Sequence, residues 1–140
     1  MKISIYHPLY NIKPVQIPCI GLLSAGFPSP ADDHLDNSID LNREFIKNKN
    51  ATYFGRVNGD SMEGAGIHHG DLLIIDKSIE PISNKVAVCF IDGEFTVKRL
   101  KFEIDIIWLI ADNPKYQPIK VTKDNDFIIW GIVKHVIKTL

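Results

Sequence analysis

The residues of this sequence best placed to do chemistry begin with Ser61, in the glycine-rich segment GDSMEGAG at positions 59–66. A serine hydroxyl becomes a nucleophile for acyl transfer when a neighbouring base accepts its proton. Three residues are candidates for that base: His68 and His69, which are close in sequence, and Lys98, which lies much further along the chain. The environment of each candidate decides between them.

The two histidines are unfavourable candidates, because they precede a Gly-Asp turn signal and enter the apolar run LLIID from a loop. Their rings need not point toward Ser61, and adjacent histidines in a loop are usually solvated. The spacing of His68, His69 and Asp71 matches no zinc pattern, and neither does the cluster DDH at 32–34. We therefore predict no metal site and no cofactor.

Lys98 lies in the segment EFTVKRL at 94–100, whose alternation predicts a strand. Successive side chains of a strand point to opposite faces, so one of the neighbours Lys98 and Arg99 must point inward. A buried lysine has a lowered pKa, because desolvation disfavours the ammonium, and its neutral amine is a competent general base. Arginine stays protonated and cannot take this role. On spacing alone, the simpler interpretation is favoured, in which Lys98 is exposed and Ser61 is a turn residue.

Cys89 is the remaining candidate nucleophile, and it lies in the apolar run VAVCFI. Apolar surroundings raise the pKa of a thiol and keep it unreactive, so we interpret Cys89 as a small buried hydrophobic residue. The chain contains only two cysteines, so no disulfide framework is expected. This usage is typical of a protein of the reducing cytoplasm.

Short β-branched and aromatic runs follow one another from about residue 51 and predict a mostly β domain. These runs are ATYFGRV, DLLIID, KVAVCFI, EFTVKRL, IIWLIA, PIKVT and DFIIWGIVKHVIK. Asp92 and Gly93 stand between two of them and predict a tight hairpin turn, because both positions tolerate positive φ. The one helical pattern is LNREFIKNK at 41–49.

Prolines are concentrated at the start of the sequence, with five of the eight in the first 30 residues. Each proline fixes φ and removes a backbone donor, which excludes a helix or a central strand in that stretch. We therefore predict an extended N-terminal arm over 1–40 and a single folded domain over 41–140.

The charge balance disfavours direct binding of DNA, since 16 basic and 17 acidic residues give a net charge of -1. A protein that neutralises backbone phosphates needs an excess of positive charge. No apolar run approaches the roughly 18 residues that a membrane-spanning helix needs, so we expect no membrane segment.

Six segments in order resemble the UmuD-type members of the LexA/UmuD family of self-cleaving Ser-Lys peptidases, and the match covers most of the chain from residue 26 onward. They are AGFPSPADD at 25–33, IDLN at 39–42, ATYF at 51–54, GDSM at 59–62, GDLLIID at 70–76 and DGEFTVKRL at 92–100. The resemblance implies a compact peptidase domain of short twisted strands. It also implies that Ser61 is the nucleophile and Lys98 the general base.

The substrate that the resemblance implies is the protein's own arm, cut between Ala25 and Gly26. Small residues at this bond let a carbonyl approach a recessed serine, although a flexible linker would have the same composition. UmuD-type proteins carry Cys before this glycine, whereas the Ala-Gly pair found here is that of LexA-type repressors. The oxyanion of the intermediate needs backbone donors, for which the amides of Ser61 and of Asp60 or Met62 are candidates.

The resemblance further implies a cytoplasmic homodimer that is activated by RecA filaments on single-stranded DNA. The processed form would then join a UmuC-type polymerase for translesion synthesis in the SOS response to DNA damage. One alternative is a non-catalytic dimeric module that binds the polymerase intact and carries a vestigial Ser-Lys pair. Another is a signal-peptidase-like enzyme, which would share the dyad but would need a membrane anchor.

Overall fold

The computed structural model describes residues 1–6, 16–17 and 39–140, and it confirms the predicted mostly β class. Contacts within the chain divide the described residues into two units. One unit consists of residues 1–6 and 48–140, and the other of residues 16–17 and 39–47. The predicted cleavage site, Ala25 and Gly26, lies outside the described residues.

The larger unit is built on one antiparallel sheet of eight strands. Its strands in chain order are β1 (Lys2–Tyr6), β4 (Thr52–Asn58), β5 (Leu72–Asp76), β6 (Val86–Ile91), β7 (Glu94–Glu103), β8 (Ile106–Ile110), β9 (Ile119–Val121) and β10 (Phe127–Ile137). Across the sheet the order is β1-β4-β5-β10-β6-β7-β8-β9. Each apolar run that predicted a strand after residue 51 therefore forms one.

The smaller unit contains two short paired strands, β2 (Gln16–Ile17) and β3 (Ile39–Asp40), and helix α1 (Leu41–Phe45). The Asp40 side chain caps the helix by accepting a hydrogen bond of 3.0 Å from the Asn42 amide. We predicted a helix over 41–49, but α1 is shorter because none of its side chains is buried, and so short a helix gains little without packing. No helix in the described part of the chain is long and apolar enough to cross a membrane.

Strand β1 brings the start of the chain into the main sheet. It pairs antiparallel with β4, with Ile3 opposite Val57, and it forms one edge of the sheet. The first proline, Pro8, comes after this strand, so no proline prevents residues 2–6 from forming it. The boundary between arm and domain at residue 40 stays a prediction, although the first six residues belong to the sheet.

The turn between β6 and β7 is the predicted hairpin. Asp92 and Gly93 have φ values of 48° and 87°, and they connect Ile91 directly to its partner Glu94. Positive φ at both positions matches the twist of the flanking strands. This turn sets the register that places Lys98 opposite Ala87.

Residues on the two faces of β7 are buried in two different hydrophobic clusters. Val97 belongs to a first cluster with Met62 and Val88, whereas Leu100 belongs to a second cluster with Ala87. Both faces of the strand are therefore covered at this point, which a flat sheet with one solvated face would not allow. At this point of the strand Lys98 is buried, whereas the side chain of its neighbour Arg99 stays 33% exposed.

Replacing Gly55 with alanine tests the packing of β1 on β4. A Cβ at this position would lie 2.2 Å from Cδ1 of Ile3, far inside van der Waals contact. We expect Gly55→Ala to lower the free energy of unfolding by about 1–3 kcal/mol, as overpacking substitutions do, when measured by urea denaturation. In an Ile3→Ala background the same substitution should cost much less, because the clashing atom is gone. An equal cost in both backgrounds would contradict this packing.

Candidate active site

Ser61 lies in the loop of residues 59–66, which follows β4. The glycines and the methionine of this loop determine its conformation. Gly59 has a φ of 120° and Gly66 a φ of 79°, values that residues with a Cβ rarely adopt. Between them, the Met62 side chain is fully buried in the first cluster. The loop is thus fixed in its middle as well as at its ends, and Ser61 itself is only 1% exposed.

Lys98 reaches the same position from β7. Of the neighbours Lys98 and Arg99, Lys98 is the one that points inward, and it is 6% exposed. Its Nζ hydrogen-bonds to Ser61 Oγ at 3.0 Å, and Thr96 Oγ1 and the Val97 carbonyl oxygen each lie 3.2 Å away. The structure therefore brings together the two residues predicted as nucleophile and base, while their catalytic roles stay a prediction.

Burial sets the protonation of Lys98. Desolvation lowers the pKa of its ammonium below the ordinary value of 10.5. The three atoms that hydrogen-bond to Nζ are neutral oxygens, so no carboxylate among these partners stabilises the charged form. A neutral amine beside a serine hydroxyl is the arrangement that general-base catalysis requires.

Met1 lies beside this pair, a position that no pattern in the sequence indicates. Its carbonyl accepts a hydrogen bond of 3.2 Å from the Val97 amide, and its amino group donates one of 3.4 Å to Thr96 Oγ1. Burial, followed by the neighbouring Lys98, lowers the pKa of this amino group to about 5. The interaction is mutual, so the Met1 amino group raises the pKa of Lys98 and opposes part of the lowering that burial causes.

The alternative candidates occupy other environments. The two histidines are exposed, and Nδ1 of His68 lies 3.0 Å from Nζ of Lys138, whose main ionic partner is Asp71. Cys89 is fully buried in the second cluster, and burial raises the pKa of its thiol to about 12. The prediction that Cys89 is buried is confirmed, and its raised pKa agrees with the expectation of an unreactive thiol.

A second loop, residues 111–118 between β8 and β9, contacts the Ser61 loop, and we call it the brace loop. Asn113 Nδ2 donates a hydrogen bond of 2.9 Å to the Asp60 carbonyl, and the Gly64 amide donates one of 2.7 Å to the Asp112 carbonyl. The Asp112 carboxylate pairs with Arg99, Nη2 to Oδ2 at 2.6 Å. The brace loop therefore joins the loop that carries Ser61 to the strand that carries Lys98.

The brace loop also contacts the side chain of Asp60. Its carboxylate accepts hydrogen bonds from the Tyr116 hydroxyl and, at 3.4 Å, from Lys115 Nζ. The Tyr116 hydroxyl is the main cause that holds the pKa of Asp60 below its usual range. These contacts are exposed, in contrast to the bond that Asn113 makes to the Asp60 backbone. No local sequence pattern links the brace loop to residues 59–66, so the sequence analysis missed it.

The predicted oxyanion donors, the backbone amides of Ser61, Asp60 and Met62, are all part of the Ser61 loop. Which of them faces a substrate stays a prediction. The same holds for Ala25 and Gly26, because the bond between them lies outside the described residues.

Comparisons with known proteins agree with the chemistry of this site. The family described as "Peptidase S24-like" matches residues 18–134. The chain is 40% identical over 134 residues to the LexA repressor of Pseudomonas chlororaphis, an alignment that covers 94% of the chain and 66% of the repressor. It is 39% identical to Protein ImpA of Salmonella typhimurium over 119 residues, covering 81% of the chain and 77% of ImpA. Protein SamA of Salmonella typhimurium strain LT2 is 46% identical over 109 residues, covering 78% of the chain and 75% of SamA.

The buried amine should affect stability in a way that depends on pH. Because the pKa of Lys98 is lowered on folding, the folded protein binds fewer protons than the unfolded chain between the two pKa values. The penalty for burying the charge is full below the folded pKa, shrinks as pH rises, and is absent above the unfolded value of 10.5. We therefore expect Lys98→Met to raise the free energy of unfolding near neutral pH, with the gain vanishing at high pH.

Urea denaturation over a pH series measures this difference, with both proteins carrying Ser61→Ala so that the chain stays intact. The matched control is Lys101→Met, an exposed lysine on the same strand, whose effect should not vary in this way. A stability difference for Lys98→Met that stays constant from neutral to alkaline pH would show that the folded pKa of Lys98 is not lowered.

Proposed function

The chain belongs to the Peptidase S24-like family, and from this premise we propose that it is a self-cleaving serine peptidase with Ser61 as nucleophile and Lys98 as general base. The observation that carries the proposal is the 3.0 Å contact between Lys98 Nζ and Ser61 Oγ. Both side chains are buried, and burial lowers the pKa of the lysine, so its neutral, basic form is easier to reach and no histidine is needed.

The chemistry then proceeds by acyl transfer. Neutral Lys98 accepts the proton of Ser61 Oγ as this oxygen bonds to the carbonyl carbon of the substrate residue. The tetrahedral intermediate collapses when its carbon–nitrogen bond breaks, and protonated Lys98 gives its proton to the departing amine. Lys98 next accepts a proton from water, whose oxygen attacks the ester. Ser61 Oγ leaves and regains a proton, which restores the starting dyad.

The negative oxygen of each intermediate needs hydrogen-bond donors. The Ser61 amide is one candidate, and the second is the amide of Asp60 or Met62. One such donor contributes about 2.7–4 kcal/mol to stabilising the transition state in other serine peptidases. Ser61 and Met62 are the buried residues of the loop at 59–66, and donors fixed in this way suit the task because they need no reorganisation during the reaction.

We propose that the substrate bond joins Ala25 to Gly26. Small side chains on both sides favour approach of the carbonyl to Ser61, which is recessed in the protein. The segment AGFPSPADD around this bond is one of the six that carry the family resemblance.

The role of the product rests on the family resemblance. We propose that the protein acts as a homodimer, that RecA filaments on single-stranded DNA activate its cleavage, and that the processed form assists a UmuC-type translesion polymerase in the SOS response. The alternative is a dimeric regulatory module that binds the polymerase without being cut. The two proposals differ in whether the purified protein cleaves its own chain.

Substitution of the dyad tests the peptidase directly. After incubation at alkaline pH, or with RecA filaments near neutral pH, mass spectrometry of the wild-type protein should show two fragments. Ser61→Ala and Lys98→Ala should each reduce the cleaved fraction below detection, because they remove the nucleophile or its base. The control is the double variant His68→Ala/His69→Ala, which should cleave at the wild-type rate. Loss of cleavage in the histidine variant, with retention in Lys98→Ala, would contradict the assignment.

The position of the cut is a separate prediction. Mass spectrometry should place it between Ala25 and Gly26. Gly26→Val should block cleavage by at least about 10-fold although the dyad is intact, since a β-branched side chain restricts the backbone and crowds the approach to Ser61. Gly21→Val, in the same N-terminal region, should have no such effect. A wild-type cut at any other bond would rule out the proposed substrate.

A further inference from the structure

The Asp60 carbonyl accepts two hydrogen bonds, one of 2.9 Å from Nδ2 of Asn113 in the brace loop and a longer one of 3.3 Å from the Glu63 amide within its own loop. Asn113 is 9% exposed, and both ends of its side-chain amide are occupied. Nδ2 donates to the Asp60 carbonyl at 2.9 Å, and Oδ1 accepts from the Lys115 amide at 3.0 Å. An amide bonded at both ends has one orientation, since exchanging its oxygen and nitrogen would break both bonds. Asn113 therefore presents a fixed donor to the loop of Ser61.

The bond from Asn113 also orients the amide of Ser61. The Asp60 carbonyl and the Ser61 N–H belong to the same planar trans peptide, in which they point in opposite directions. Pulling the carbonyl toward Asn113 therefore turns the N–H away from the brace loop. Within residues 1–6, 16–17 and 39–140, the Ser61 amide donates no hydrogen bond, so it is free to bind a substrate oxygen.

We propose that Asn113 is a positioning residue that aims the Ser61 amide at the oxyanion of the tetrahedral intermediate. Asn113 touches no reacting atom and acts through the peptide between Asp60 and Ser61. The inference rests on the proposed self-cleavage and adds to it the residue that prepares the oxyanion site. Rotation of this one peptide would misdirect the donor without moving Ser61 Oγ from Lys98.

Asp112, the residue before Asn113, fixes the brace loop in two directions. Its carboxylate pairs with Arg99, which follows Lys98 on β7, and its carbonyl accepts the hydrogen bond from the Gly64 amide. A Cβ on Gly64 would lie 2.6 Å from that carbonyl oxygen, so the two loops meet closely only because residue 64 is glycine. The brace loop thus has a rigid base from which Asn113 can hold the Asp60 carbonyl.

The experiment measures the rate of self-cleavage as a function of pH, without activator, for the wild type and for Asn113→Leu, which has a similar volume but no donor. The wild-type rate should rise with the fraction of neutral Lys98 and level off at a plateau. In Asn113→Leu the plateau should fall by about 10-fold or more, up to the roughly 10²–10³-fold that loss of a whole donor causes. The midpoint of the rise should not move, because the surroundings of Lys98 are unchanged.

Two further variants separate positioning from general damage. Thermal unfolding shows whether Asn113→Leu folds. If it does not, Asn113→Ala makes the same test, because alanine only removes atoms. Tyr116→Phe removes the brace loop's hydrogen bond to the Asp60 carboxylate but leaves the carbonyl bonded to Asn113. Its plateau should stay within about 2-fold of the wild type, since the contact is exposed.

Each remaining outcome overturns the proposal. A plateau unchanged in both Asn113 variants would show that the Asp60 carbonyl needs no such bond. A shifted midpoint with the plateau preserved would mean that Asn113 acts through Lys98 instead. An equal loss in Tyr116→Phe would indicate that the whole brace loop matters and not this one bond. A wild-type protein that never cleaves itself would refute the proposed function, and the inference with it.

Discussion

The structure depends on the burial of one amine, that of Lys98, beside the hydroxyl of Ser61. A buried ammonium without a carboxylate partner is strongly unfavourable, and the lysine responds by giving up its proton more easily. The hydrogen-bond partners of Nζ are neutral oxygens, which accept bonds from an ammonium or an amine without adding a counter-charge. Burial of the charged form lowers the stability of the fold, and the same burial lowers the pKa of Lys98 and favours the neutral amine that can act as a base.

The rest of the fold excludes water from the Lys98 amine and holds it next to Ser61. Hydrophobic clusters cover both faces of β7, so a side chain at position 98 is buried by the sheet itself. Met62 anchors the loop of Ser61 in the first cluster, and the brace loop joins this loop to β7 through Asp112 and Arg99. Nucleophile and base come from separate parts of the chain, yet both are held by the same packed framework.

Local patterns predicted much of this arrangement. Alternating apolar runs gave the strands of the larger unit, and Asp92 with Gly93 gave the hairpin, because strand periodicity and turn conformation are properties of neighbouring residues. Alternation could not choose between Lys98 and Arg99, since the choice depends on what covers each face. The contacts of Met1 and Asn113 join residues far apart in the chain, and no local pattern encodes them. Helix α1 ended earlier than predicted because helix propensity could not reveal that none of its side chains is buried.

The most direct test of this account is the titration of Lys98 itself, followed by nuclear magnetic resonance of the lysine side chains. The protein carries Ser61→Ala so that it remains intact, and the signal of Lys98 is identified by its loss in the Ser61→Ala/Lys98→Met variant. The account predicts that Lys98 titrates below the ordinary value of 10.5. A midpoint for Lys98 at or above 10.5 would contradict the claim that burial prepares the base.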